Sequence, residues 1–167
     1  MKITIIKILI ICCFSITAIS QNINVTGLGN NIIDDSITPL VSNNTDFGSI
    51  TVGSNTINTF VIVNTDGPSG NTLTINNISL LGANAADFTI TSSITTIAKN
   101  GKSDSFTITF TPSDTGVRIA TVIIDNDSSI GTEQPYTFDI VGIGLAPPPE
   151  IEIQGNSTII TDGDVIP

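Results

Sequence analysis

The sequence predicts an all-β protein, an antiparallel sandwich of about seven to eight short strands. Apolar and polar residues alternate with period two along most of the chain, and Thr, Ile and Val dominate the alternating runs. Clusters of Asn, Asp, Gly, Pro and Ser separate those runs at the spacing of tight connections. Helical periodicity is hard to find. A hydrophobic fraction of 40% is enough for a packed core, but aromatics are only 5% and Trp is absent. The core must therefore be built from Ile, Val, Leu and a few Phe.

Residues 1–20 read as an export signal. Lys2 and Lys7 form a basic start, Ile8 to Phe14 an apolar stretch, and Ala18-Ile19-Ser20 a small-residue cleavage site before Gln21. The apolar run is shorter than the roughly 20 residues of a spanning helix, so stable membrane insertion after cleavage is not expected. Cys12 and Cys13 lie inside this segment, and the bulky Ile11 before them argues against lipidation. The mature chain then has no cysteine, and neither disulfides nor thiolate metal sites are available to it.

Residues 21–45 read as an N-terminal strand, Ile23 to Val25, with a lead-in to the main domain at 46–145. Within that domain the strand candidates are Phe47 to Val52, Thr59 to Val63, Leu73 to Leu80, Phe88 to Thr91, Ser105 to Thr111, Val117 to Ile124 and Tyr136 to Ile140. Phe106, Ile108 and Phe110 share one face of their strand, as Tyr136, Phe138 and Ile140 do of theirs, so both triplets are expected inward. Thr and Asp are expected to cover the outer faces. Asn64 to Gly70, Asn100-Gly101-Lys102 and Pro112 to Gly116 supply the turns.

Ala146-Pro147-Pro148-Pro149 reads as a stiff linker, because consecutive prolines favour an extended path. After it, residues 150–167 repeat the start of the mature chain. Ile23, Gly27, Ile32, Asp34 and Pro39 recur identically as Ile151, Gly155, Ile160, Asp162 and Pro167, without a gap. A second, truncated repeat is the expectation, with a longer parent protein and a strand at Ile151 to Ile153.

Several spaced motifs between Asp46 and Gly144 carry a family resemblance. They are Asp46-Phe47-Gly48-Ser49-Ile50, Thr59 to Asn64, Gly82 to Ile90 with its Ala86-Asp87-Phe88, Phe106 to Pro112, Gly116 with Ala120-Thr121-Val122, and Pro135 to Ile140 leading to Gly142 and Gly144. In these the chain resembles the abnormal-spindle/hydin type of immunoglobulin-like domain, and more narrowly the bacterial choice-of-anchor D repeats. The resemblance implies an immunoglobulin-like sandwich carried by large secreted or surface proteins. It says little of function, because one fold hosts many roles.

Most catalytic chemistries lack their parts. Without histidine anywhere, or cysteine after cleavage, nucleophilic triads and imidazole or thiolate metal sites are excluded. Asp114-Thr115-Gly116 matches the aspartic-protease tripeptide but occurs once, where a hairpin must join two strands. Gly27-Leu28-Gly29 and Gly142-Ile143-Gly144 complete no phosphate-cradling pattern. A carboxylate pair for glycoside cleavage would lack the aromatic platform that sugar rings stack on. Asp125-Asn126-Asp127, Asp162-Gly163-Asp164 and Asp34-Asp35 offer oxygens for calcium, but turns use the same residues. Asn77-Ile78-Ser79 carries little weight as a glycosylation signal in a bacterial chain. No catalytic residue, cofactor or metal ligand is therefore assigned.

After cleavage, Lys99, Lys102 and Arg118 oppose 15 acids, a net charge of −12. Such a surface repels nucleic acid and anionic lipid. The expectation is a non-catalytic spacer or adhesion repeat of a secreted or cell-surface bacterial protein. The alternative is a binding module accessory to a secreted hydrolase encoded in the same longer chain.

Overall fold

A computed structural model describes residues 23–149. The export signal assigned to residues 1–20 and the repeat start assigned to 150–167, with Ile151 to Ile153 and Asp162-Gly163-Asp164, lie outside the described residues.

Ten strands form two five-stranded sheets. They are β1 (Ile23–Gly27), β2 (Asn30–Ile32), β3 (Asp46–Thr51), β4 (Thr56–Asn64), β5 (Leu73–Leu81), β6 (Phe88–Thr91), β7 (Thr96–Ile97), β8 (Ser103–Phe110), β9 (Gly116–Asn126) and β10 (Tyr136–Leu145). The first sheet has the order β2-β1-β4-β8-β6 and the second β3-β10-β9-β5-β7. The fold is the expected immunoglobulin-like sandwich, with about ten strands rather than seven to eight. The two extra strands, β2 and β7, are only three and two residues long, too short for a period to register.

Not every pairing is antiparallel. Edge strand β3 runs parallel to β10, with Ile143 opposite Ser49 and Leu145 opposite Thr51. Alternation fixes which side chains face inward but not the direction of a neighbouring strand. The lead-in is integral to the sandwich. Strand β1 pairs with β4 from Ile23–Asn64 to Gly27–Phe60, and Ile23 and Val25 are wholly buried.

Both predicted inward triplets are buried, and all six described phenylalanines join the core. Phe88 stacks on Phe110 at 4.8 Å, Phe110 meets Phe47 edge-on at 5.9 Å, and Phe60 bridges Phe106 at 5.4 Å and Phe138 at 5.7 Å. Such ring pairs contribute about 0.5–1.5 kcal/mol each beyond their buried area. They compensate for the missing disulfide. Tyr136 adds a polar tie, its hydroxyl donating to the Ile32 carbonyl across 104 residues of chain.

The two ends of the sandwich differ. Ile23 lies at the proximal end, beside Asn64, whose side-chain amide donates to the Asn71 and Ile97 carbonyls. Leu145 lies at the distal end, opposite Thr51, where the chain also crosses from β8 to β9. The described chain thus starts at one end and reaches its proline linker at the other.

Candidate functional site

The acidic motifs have structural work to do. Asp34 Oδ1 accepts from the backbone N–H groups of Thr137 at 2.8 Å and Asp35 at 3.0 Å, and Asp35 Oδ1 accepts from the Thr137 hydroxyl at 2.7 Å. Together they fasten the segment after β2 to the start of β10. Burial pushes the Asp34 carboxyl above the usual range, and neighbouring Asp35 adds to this, against the opposing pull of the Thr137 N–H. In Asp125-Asn126-Asp127 the central amide is buried. It donates to the Ile124 and Glu133 carbonyls and accepts from Ser128 N–H. Asp127 Oδ1 accepts from Thr74 N–H at 2.6 Å, tying β9 to β5. Among the described residues no three His, Cys, Asp or Glu side chains gather so as to hold a metal ion.

Asp114-Thr115-Gly116 lies in the turn between β8 and β9, which is not the expected hairpin: β8 belongs to the first sheet and β9 to the second, so the turn crosses between the sheets. Asp114 Oδ1 accepts from Thr115 N–H at 2.7 Å, and Gly116 takes φ +95°, where a side chain would be strained. The chain therefore uses this tripeptide as a turn. Beside it stands an ion pair missed at the sequence level: Arg118 Nε donates to buried Asp87, which also accepts from Ser113 N–H. Burial works against the Asp87 charge, but the Ser113 and Arg118 contacts outweigh it and hold the carboxyl below its usual range. The motif Ala86-Asp87-Phe88 thus has a physical role. Its aspartate fastens the β8–β9 turn and its phenylalanine joins the ring stack.

Among the described residues, concavities include the following pair. A polar one of about 170 Å³ opens at the proximal end between Asn64, Asp66, Asn71, Asp127 and Ser128. Its carboxylates fasten loops, Asp66 Oδ2 accepting from Asn71 N–H at 2.9 Å and Asp127 from Thr74. A shallower one of about 240 Å³ lies between β5 and β6, lined by Asn76, Asn77 and Ile94 among others. No nucleophile–base arrangement lines either concavity.

One surface departs from expectation. On the first sheet Thr89, Thr91, Thr107 and Thr109 line the outer face of β6 and β8, as predicted, while Ile57 of β4 is exposed opposite Thr109. At the distal end of the second sheet, apolar side chains take the place of Thr and Asp. Leu81, Val117, Ile119, Ile143 and Leu145 are 64%, 60%, 47%, 38% and 45% exposed. Ile143 faces Val117 directly and Val141 faces Ile119, so the residues share one face. The cause lies in the phase of β10. Tyr136, Phe138 and Ile140 point inward, so Gly142 and Gly144 follow inward and Val141, Ile143 and Leu145 face out. The signal was legible in Val117 to Ile124, which is apolar in both phases.

Comparison with known proteins agrees with this architecture. The family model described as the HYDIN/CFA65/VesB-like, Ig-like domain matches residues 39–140, more than half of the chain. The chain belongs to this family. No curated protein matches it in sequence. Among solved structures, a protein of unknown function from Porphyromonas gingivalis W83 superposes with a TM-score of 0.50 at 13% identity, covering 74% of this chain and 46% of that one. The Vibrio cholerae VesB protease gives 0.44 at 14% identity, covering 67% and 31%. The human CEP192 PapD-like domain gives 0.43 at 13%, covering 78% and 89%. These identities speak for fold alone. The chain spans less than half of the first two structures. Membership in the HYDIN/CFA65/VesB-like family suggests a non-catalytic interaction module.

Proposed function

We propose that this HYDIN/CFA65/VesB-like domain is a structural and interaction repeat of a secreted or cell-surface bacterial protein, spacing or displaying neighbouring domains or serving adhesion. The observation that carries the reading is where the first strand of the sandwich starts and its last strand stops. Ile23 and Leu145 lie at opposite ends of the sandwich, so units joined through Ala146 to Pro149 run on head to tail. The acids found in turns support it too, since they fasten loops rather than converge on a reacting atom. The export signal read at residues 1–20 supplies the route out of the cell.

The test is the intact mass of the native protein recovered from medium and cell surface, with the reading frame beyond Pro167. A larger product carrying further copies of this domain supports the spacer. A catalytic domain in the same frame makes the module an accessory of that enzyme instead. A native product with neither would overturn the repeat.

A further inference from the structure

We infer that the apolar distal face of the second sheet is the docking surface for the next copy of the same domain. Successive copies therefore overlap in contact rather than swinging as separate beads. The inference rests on the repeat reading above and adds the surface and its occupant.

The face itself is the first observation. Single exposed apolar residues are ordinary, but Leu81, Val117, Ile119, Ile143 and Leu145 occupy neighbouring positions on three strands. A polar border bounds them toward the proximal end, where the Thr121 hydroxyl donates to Asp139 Oδ1 at 2.6 Å. On the first sheet β6 and β8 present threonine instead, with Ile57 of β4 an exposed apolar residue opposite Thr109. β-propensity alone would treat both faces alike.

The linker chooses which neighbour reaches this face. Leu145 belongs to the apolar group and is followed at once by Ala146-Pro147-Pro148-Pro149. Four residues of extended polyproline path span only about 12 Å, so whatever follows is held beside Leu145. At such a reach the effective concentration is of millimolar order or above, enough for a small apolar contact to stay closed.

The sequence after the linker identifies that neighbour. Four of the five residues that recur there have structural reasons to recur. Ile23 and Ile32 are core residues, and Asp34 fastens β10. Gly27 packs so closely that a Cβ would overlap the Asn43 carbonyl oxygen. A recurrence confined to exposed residues would mean little. This one repeats the requirements of the β1–β2 hairpin, so the occupant is a second copy of this fold.

The test uses the absence of cysteine from the mature chain. A two-copy protein is made from residues 21–150 followed by 23–167, which keeps the natural register, and residues 21–167 serve as the single-copy reference. One cysteine is introduced as Ile119→Cys in the leading copy, the trailing copy or the reference, and its rate of thiol alkylation is measured. Calorimetry establishes that both copies are folded. The leading-copy thiol should react at least about tenfold more slowly than the other two, and a flexible 20-residue insertion after Pro149 should relieve much of that protection. Equal rates in all three placements, with both copies folded, would overturn the docking surface and leave the spacer reading standing. Failure of the spacer reading would show separately, in the native mass and reading frame.

Discussion

Arg118 on β9 and Asp87 before β6 form an ion pair that ties the start of β9, in the second sheet, to the segment entering β6 of the first. Asp87 is only 4% exposed and also accepts from Ser113 N–H, while Arg118 Nη2 donates to Ser113 Oγ at 3.2 Å. Asp87 thus shares one knot with two residues that follow it by 26 and 31 positions. Asp87→Ala strands both the guanidinium and the Ser113 N–H. The expected loss is about 2–4 kcal/mol, read by urea unfolding. Asp114→Ala, one turn away on an exposed loop, should cost less than about 1 kcal/mol. Equal losses would mean that the β8–β9 turn itself, not the ion pair, holds this end.

The Asp87 carboxyl is held below its usual range, so the sign of its pH dependence is fixed. Its contribution is complete above the unfolded carboxylate value near 4 and is lost as pH falls through the lower folded value. The stability gap between the wild type and Asp87→Ala should therefore narrow on acidification. Unfolding midpoints measured between about pH 2 and pH 7 test this. A gap that stays constant would assign the aspartate's role to packing alone.

Asp34 should behave in the opposite way. Burial raises its folded value, so ionising it costs stability as pH rises past the unfolded value, and the full cost is reached above the folded value. Asp34→Asn removes the charge and keeps an oxygen to accept from Thr137 N–H. The variant should match the wild type near pH 3 and gain on it toward pH 7. Asp34→Ala, which also leaves the Thr137 N–H without its acceptor, should be weaker at both ends of the range. Any pH-independent offset between Asn and wild type would remove the charge from the explanation.

The two aspartates also show how far the sequence could be read. Period two placed Phe106, Ile108, Phe110, Tyr136, Phe138 and Ile140 inward, because that pattern is local and each strand buries one face. The same rule could not see that Asp87 meets Arg118, since the pair depends on how two sheets pack. Direction of pairing was equally hidden: nothing in Asp46 to Thr51 says that its neighbour runs parallel. The acidic dipeptide Asp34-Asp35 was visible as hard oxygens, but its partner Thr137 lies 103 residues away from Asp34. The apolar distal face was half visible, in the two-phase apolar run of β9. What concealed the rest was the assumption that alternation continues as apolar-in and polar-out, which Gly142 and Gly144 reverse.

Gly142 and Gly144 provide the last prediction. Both point inward, and a Cβ on Gly142 would overlap the Phe110 ring, while one on Gly144 would overlap the Asp114 carbonyl oxygen. Those two neighbours differ in freedom. Phe110 is wholly buried against Phe88 and Phe47, so yielding to Gly142→Ala would disturb the whole stack. The Asp114 carbonyl belongs to an exposed turn that can shift as a unit. Gly142→Ala should therefore cost about 2–3 kcal/mol and Gly144→Ala about 1 kcal/mol less, by thermal or urea unfolding. The reverse order would show that the β8–β9 turn is the stiffer partner and that the ring stack has room to move.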